Sequence, residues 1–399
     1  MQQDYIREIK SITFGTLSTA DVLKMSVCKV ENTKLSGHGS VYDERMGPSL
    51  DVSKPCVTCG GGTDVCPGHF GHIVLNQPII HPLFYKYVVG FLRCFCDECY
   101  KLILPYDYMS MYKLDRLGVE ARFDAVQKAS EKNDACCNCG KIQPKVALIP
   151  TDNTIVRMHK IQQDENSTAK VATVQMNVDE ILRIFDGISD DDVRMLGFNP
   201  AHTHPRNLIM SVFPVIPSCS RPFIVADGNI CDDDLTNQLC EIVKANKQLL
   251  NEPSDIKMQK ALQSLKFRIQ TFYDNSKGRS KHTTSGRAIK GLKERLTSKD
   301  GLLRNNLMGK RVNQSARTVI GPDPSLKMDE VGIPNEICDV LTIPEIVNAT
   351  NFEKLSKIVN SGGANIVVNN SGKNINLAYA TFKRGTDLLY GDIVIRPNC

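Results

Sequence analysis

Seven cysteines and one histidine in the first third of this 399-residue chain fall into two sets of four: Cys56, Cys59, Cys66 and His69, then Cys96, Cys99, Cys136 and Cys139. A Cys-x2-Cys turn lets two thiolates from one tight loop reach a tetrahedral zinc ion at ~2.3 Å, and a pair from further along closes the shell. Two structural zincs would therefore organise a region rich in loops. The spacing leaves some register open, since Cys137 can replace Cys136 and Cys94 can replace Cys96. His72 lies near the first set, but Cys66-Pro67-Gly68-His69 already completes a half-site. His72 is expected to pack or to hydrogen-bond.

Disulfides are the competing reading, and they belong to oxidising compartments. The chain opens on polar Met1-Gln2-Gln3-Asp4-Tyr5-Ile6-Arg7-Glu8, without the apolar core of a signal peptide, and its 15 cysteines are an odd number. Cys28, Cys94, Cys137, Cys219, Cys231, Cys240, Cys338 and Cys399 show no ligand pattern and are expected mostly as buried thiols. A catalytic zinc would keep a position open for water and rely on histidine and carboxylate. Thiolate-rich closed sets point to scaffold instead.

Length allows two or three domains, and 41% hydrophobic with 23% charged residues is ordinary globular composition. No run approaches the ~18 to 20 apolar residues of a membrane span, so an intracellular protein without a membrane partner is expected. The net charge of +5 is unevenly placed. Between Lys277 and Arg317 stand twelve Lys/Arg against Glu294 and Asp300, a local +10 that leaves −5 for all other residues. Such a block is the footprint of a polyanion site, because each cation that meets a phosphate releases condensed counterions. A solvated helix face would carry more interleaved acids.

The pattern along the chain predicts an α+β, multi-domain protein. Ile9 to Phe14 reads as a strand, and Thr19 to Met25, Val119 to Lys132 and Val178 to Phe185 read as helices, with Ser189 capping another. Pro214, Pro217 and Pro222 punctuate an extended or looped segment up to Asp234. Leu235, Leu239, Ile242, Val243, Leu249 and Leu250, a turn at Asn251-Glu252-Pro253-Ser254, then Met258, Leu262, Leu265, Ile269 and Phe272 predict an antiparallel helical hairpin. Its broad polar faces suggest that it projects from the body. Asn275 to Gly286 reads as a flexible loop. From Gly321 onward short β-like runs follow at Glu330 to Pro334, Asn365 to Val368, Ile375 to Tyr379 and Asp392 to Arg396.

Two of these stretches resemble one family. Cys56-Val57-Thr58-Cys59 through Cys66-Pro67-Gly68-His69-Phe70-Gly71-His72 resembles the clamp zinc motif of the largest subunit of multisubunit DNA-directed RNA polymerases. Arg304-Asn305-Asn306-Leu307-Met308-Gly309-Lys310-Arg311-Val312-Asn313-Gln314-Ser315-Ala316-Arg317-Thr318-Val319-Ile320 resembles the segment at the clamp base. The similarity covers essentially the whole chain and is nearest to RNA polymerase II. Ser40 to Pro48 and the short hairpin tip resemble versions carried by large DNA viruses of eukaryotes.

The resemblance implies a zinc-stabilised clamp over residues 1–320, with a lid at about 221–234, a hairpin for initiation and elongation factors at about 234–274, a rudder at about 275–290 and a switch segment at about 299–320. Residues 321–399 would begin a β-rich active-site domain. Arg311 and Arg317 are the first candidates for phosphate contact, because guanidinium grips phosphate in a fixed fork. Lys299, Arg304 and Lys310 share their track, and Arg287, Lys290, Lys293 and Arg295 are weaker candidates. Backbone contacts of this kind hold template DNA and the RNA–DNA hybrid independently of sequence.

Catalysis in this family uses the motif Asn-Ala-Asp-Phe-Asp-Gly-Asp, whose carboxylates hold Mg²⁺ for a two-metal displacement. That motif is absent here, and Asp323, Asp387 and Asp392 are too scattered to replace it. No catalytic residue is therefore expected in the chain, which would act with the remainder of the largest subunit, the second-largest subunit and smaller subunits. Its location would be the nucleus, or host cytoplasm or virion for a viral protein. Two alternatives stand beside this reading: a non-catalytic zinc-bearing nucleic-acid-binding protein derived from the clamp, and a zinc enzyme acting alone.

Overall fold

The structure is a computed structural model. It describes the chain except residues 1–9, 13, 35, 49–53, 64, 150–152, 161–170, 227–228, 252–254, 284, 314, 380–386 and 398–399. Two compact units result, Met1–Leu302 and Leu303–Cys399. Residues 303–320, read from sequence with the first domain, group with the second unit.

The first unit is built on a three-stranded sheet. Strand Ser26–Lys29 runs parallel to the start of Phe70–Ile80, which pairs antiparallel with Ile209–Val215. Ile73, Leu75 and Ile79 alternate onto one face, as the two-residue period of a strand requires, and are buried there. The hairpin helices Asp234–Asn251 and Asp255–Tyr273 cover that face, packing Leu235, Leu239, Ile242, Leu265, Ile269 and Phe272 against it. The hairpin is thus core over most of its length rather than a projection. Leu249 near its far end is still buried, and Asn246 ties the first arm to the strand by donating to the Val74 carbonyl at 2.8 Å. The tip, 252–254, lies outside the described residues.

A second core surrounds helix Tyr85–Cys94. Phe91 meets Phe123 at a centroid distance of 4.9 Å, Phe198 at 5.4 Å and Phe185 at 6.2 Å, joining helices Val119–Ser130 and Val178–Asp186. Tilted and edge-on aromatic pairs add ~0.5–1.5 kcal/mol each beyond their burial. An antiparallel sheet of Lys145–Ile149, Thr154–Lys160 and Val171–Gln175 flanks this core.

The second unit holds a four-stranded antiparallel sheet in the order Asn374–Asn376, Ile366–Val368, Ile393–Pro397, Thr342–Ile346. Helix Phe352–Ser361 packs Leu355 and Val359 on Val347, Val367 and Val394. Glu330 to Pro334, expected as a strand, is irregular and exposed, because Gly332 and Pro334 interrupt it and it pairs with no strand among the described residues. The fourth strand is Thr342–Ile346 instead. Its Pro344 is tolerated because the strand is an edge, paired only with Ile393–Pro397. Residues 10–12 and 14 likewise form no strand, and Phe14 is 91% exposed.

The cysteines outside the two tetrads depart from expectation. Cys28 and Cys94 are buried, but Cys137, Cys219 and Cys231 are exposed and Cys240 and Cys338 half-buried, since they sit on turns, on helices or at the end of the short strand Asn229–Cys231 rather than in a core. Cys399 lies outside the described residues.

Candidate metal centres and nucleic-acid face

Three turns in the first unit share one backbone design. In each, the first cysteine's N–H donates to the carbonyl five residues on, and its own carbonyl accepts from the residue after the second cysteine. The pairs are Cys56 with Gly61 and Gly60, Cys96 with Lys101 and Tyr100, and Cys136 with Lys141 and Gly140, at 2.7–3.1 Å. The closing residue must adopt a left-handed backbone, which costs a residue with a Cβ about 1–2 kcal/mol. Gly60 (φ 70°) and Gly140 (φ 72°) meet this freely. Tyr100 (φ 59°) does not, and is held by packing on Gly187, where a methyl would come within 2.4 Å of its ring.

These turns bring the ligand atoms together. Within each of the sets Cys56, Cys59, Cys66, His69 and Cys96, Cys99, Cys136, Cys139, the candidate donor atoms all lie within 4.8 Å of one another. Sulfur pairs Cys96–Cys139 and Cys99–Cys136 stand 3.6 and 3.7 Å apart, and Cys66 Sγ is 3.7 Å from His69 Nε2. Tetrahedral Zn–S bonds of ~2.3 Å place sulfurs about 3.8 Å apart, whereas a disulfide requires ~2.05 Å. The geometry is that of a metal shell.

Position separates the alternative residues from the donor clusters. Cys94 is fully buried at the end of its helix, burial holds its thiol far above the ordinary range, and it lies outside the donor cluster. Cys137 directs its sulfur at the Leu102 carbonyl, 4.0 Å away. His72 joins the sheet and its Nδ1 lies 2.7 Å from Ser26 Oγ.

Electrostatics favour thiolate at the turns. Burial opposes the Cys136 thiolate, but the N–H groups of Cys139 and Asn138 outweigh it and bring the thiol down to about 7. Across the shell, burial and the neighbouring sulfurs push Cys99 up to about 12. Sulfurs this close cannot all be anionic without a shared cation, so the donor set itself calls for a divalent metal. Gln143 donates to Cys96 Sγ at 3.1 Å, and Lys141 pairs with Asp97 and Glu98 at 3.2 and 2.6 Å, holding both turns in place.

The nine basic candidates divide sharply. Lys293 pairs with Asp274 at 2.6 Å, Arg295 with Asp233, and Arg287 with Asp234 at 3.5 Å. These three tie the chain to itself. Lys299, Arg304, Lys310, Arg311 and Arg317 are exposed and carry no acidic partner among the described residues, and the Lys290 side chain is also free. Arg304, Lys310, Arg311 and Arg317 lie in the stretch 303–336, where every described residue is exposed.

Sequence reading missed the aspartates that organise the loop after the hairpin. Asp232 accepts from the Tyr42 hydroxyl at 3.2 Å, Asp233 caps the hairpin helix and holds Arg295, and Asp234 accepts from the Lys290 N–H at 2.9 Å. Asp234 Oδ1 also lies 2.9 Å from His282 Nε2. The loop His282–Arg287 repeats the metal-turn design: His282 N–H donates to the Arg287 carbonyl, Gly286 N–H to the His282 carbonyl, and a bridge joins Lys281 to Ala288. His282 and Ser285 stand where the cysteines would be, and Asp234 replaces the metal as the external anchor. The signal in sequence was the run of three aspartates opening a helix. Beside it Arg221, fully buried, donates to Thr236 Oγ1 at 3.1 Å and to the Val41 carbonyl, and lies 5.0 Å from the Tyr42 ring centre.

Two tetrads that could hold metal, on an α/β scaffold, and a stretch of exposed cations without acidic partners among the described residues mark a candidate metal-scaffolded protein with a basic segment. Comparison with known proteins makes this particular. Residues 6–307 match the family described as "RNA polymerase Rpb1, domain 1", and residues 309–397 match "RNA polymerase Rpb1, domain 2". The chain is 39% identical to the "Probable DNA-directed RNA polymerase II subunit RPB1 homolog" of Invertebrate iridescent virus 6, over 98% of this chain and 45% of that protein. It is 35% identical to the "DNA-directed RNA polymerase II subunit RPB1" of Euplotoides octocarinatus, over 98% of this chain and 86% of the relative. It is 34% identical to the "DNA-directed RNA polymerase subunit Rpo1N" of Sulfolobus acidocaldarius, over 93% and 44%. The chain belongs to the family of RNA polymerase largest subunits, matching its first two domains. It spans about half the length of the viral and archaeal relatives.

Proposed function

We propose that the chain is the clamp-bearing part of the largest subunit of a DNA-directed RNA polymerase, holding template DNA and the RNA–DNA hybrid while the remainder of the enzyme forms RNA. The observation that carries this reading is the set of five exposed cations without acidic partners, Lys299, Arg304, Lys310, Arg311 and Arg317. Unpaired guanidinium and ammonium groups retain their full capacity for phosphate, whereas Arg287, Lys293 and Arg295 are already engaged by aspartates.

In this reading both tetrads hold zinc. Four protein ligands leave no position for water, so the metals act as scaffold. The lid is the short hairpin Ile224–Ala226 and Asn229–Cys231, the factor-docking element is the pair Asp234–Asn251 and Asp255–Tyr273, and the rudder is the loop anchored by Asp234. The apolar side chains of Leu307, Met308, Val312, Val319 and Ile320 are 62–95% exposed, an amount of uncovered apolar surface that fits a segment enclosed by partner subunits and nucleic acid. Mg²⁺ would be held by the Asp-rich motif elsewhere in the enzyme. Asp392, the one buried candidate carboxylate of the second unit, is committed to the N–H groups of Asn370 and Leu389 at 3.0 and 2.8 Å. No described helix is long and apolar enough to cross a membrane. The place of action is the nucleus, or host cytoplasm or virion for a viral enzyme.

The test is Arg311→Ala with Arg317→Ala in the assembled polymerase, with template retention measured against salt. Each lost phosphate contact lowers the slope of log affinity on log salt by about 0.7 for a single strand to 0.9 for duplex, so the double change should lower it by about 1.4 to 1.8. Lys293→Ala should leave the slope unchanged. Equal slopes for wild type and the double variant would remove both arginines from the interface.

A further inference from the structure

A cavity of about 390 Å³ opens in the first unit between the second hairpin arm, the end of strand Phe70–Ile80 and the Thr154 and Gln175 strands. It lies apart from both metal tetrads. Its lining contains no Asp or Glu, yet it contains two cations, Lys266 and Arg279. Neither makes an ion pair or side-chain hydrogen bond among the described residues, although Lys266 is half-buried. Burial draws the Lys266 ammonium below the ordinary lysine range, with no anion nearby to oppose it. A desolvated, unpartnered cation costs stability unless something outside the chain compensates it.

The neutral lining is equally specific. Six carboxamides line the cavity, and those of Gln175, Asn177, Gln259 and Gln263, all on exposed residues, have no side-chain partner among the described residues. Carboxamides pair a donor with an acceptor on one plane, the pattern that matches the edge of a nucleobase. Phe267, 36% exposed, adds to the lining an aromatic ring of the kind on which a base can stack. The volume falls within the ~300–1,000 Å³ of small-molecule sites.

From this juxtaposition we infer that the cavity is a binding site for a small phosphorylated ligand of the nucleotide class, with Lys266 and Arg279 on its phosphates and the carboxamides on its base. The site shares no residue with the proposed template track and does not depend on the polymerase reading.

Calorimetric titration of the full chain with ADP tests this. One ADP should bind per chain, adenosine at least tenfold more weakly, and Lys266→Gln or Arg279→Gln should each weaken ADP about tenfold, the scale of one charge-assisted contact. Lys260→Gln, on the same helix but outside the cavity, should stay within about twofold. Without ligand, Lys266→Gln should unfold at or above the wild-type temperature, because the uncompensated charge is gone; this shows that its lost binding is not lost folding. No binding at about 1 mM ADP overturns the proposal, as does equal weakening by Lys260→Gln. Pyrophosphate binding as tightly as ADP removes the nucleotide assignment. A single-stranded oligonucleotide that displaces ADP and depends more strongly on Lys266 would make the cavity part of a polymer track instead.

Discussion

Cys136→Ser and Cys137→Ser differ by one position and should differ in almost everything measurable. Cys136 is buried, its sulfur lies 3.7 Å from that of Cys99, and the N–H groups of Cys139 and Asn138 point at it. Cys137 is exposed and has only a 4.0 Å approach to the Leu102 carbonyl. Structural zinc sites contribute ~10–16 kcal/mol of apparent binding free energy, so a variant that no longer holds its ion should lose at least one ligand's share of it, about 3–4 kcal/mol as a lower bound. At ~2 °C or more per kcal/mol for a domain of this size, the midpoint should fall by on the order of 6–8 °C. Metal analysis should read two zincs per chain for wild type and Cys137→Ser, and one for Cys136→Ser. With the metal chelated, the stability gap between the two variants should collapse. The reasoning fails if Cys137→Ser loses the zinc, or if Cys136→Ser keeps both metals and its stability.

Asp234→Ala should release the loop after the hairpin by removing the acceptor for the Lys290 N–H and the partner of His282. The local cost is about 1–3 kcal/mol, so tryptic cleavage within residues 277–290 should rise about tenfold or more, and unchanged cleavage would contradict the anchoring role. Acid sensitivity follows from Asp43 and Asp274. Burial opposes ionisation of each, but Arg45 and the Gly39 N–H on Asp43, and Lys293 and Ser276 on Asp274, outweigh it and lower both carboxyls to about 2 from 3.8. A folded value below the unfolded one means stability that is fully present above about pH 4 and lost as pH falls through about 2. Asp43→Asn should flatten that part of an unfolding-midpoint curve, and an unaltered curve would exclude Asp43 as a source.

Legibility varied with the range of the interactions involved. The helices Thr19–Met25, Val119–Ser130 and Val178–Asp186 follow from local periodicity, the first with a cap at Ser18, and the Ser189 side chain accepts from the Asp192 N–H as a cap should. Strand Phe70–Ile80 was hidden because its partners lie more than a hundred residues away on one side and forty on the other. Glu330 to Pro334 carried the right composition for a strand and had nothing to pair with. The helical hairpin was legible as an element, but its docking depends on Asn76, Val74 and Asn246 meeting across 170 residues.

The same division runs through the sites. Spacing alone marked the eight candidate metal ligands to within one position, because a Cys-x2-Cys turn is a local object whose backbone hydrogen bonds close within six residues. Which neighbour joins the donor cluster, Cys136 or Cys137, is visible only in the tertiary structure, since packing against Leu102 and Ile103 orients the turn. Local charge likewise marked a basic segment but treated its cations alike. Folding separates them: Asp233, Asp234 and Asp274, brought from elsewhere in the chain, claim Arg295, Arg287 and Lys293, and leave Arg304, Lys310, Arg311 and Arg317 without an acidic partner among the described residues. A counter-ion's position in space is not written in the sequence around the cation it neutralises.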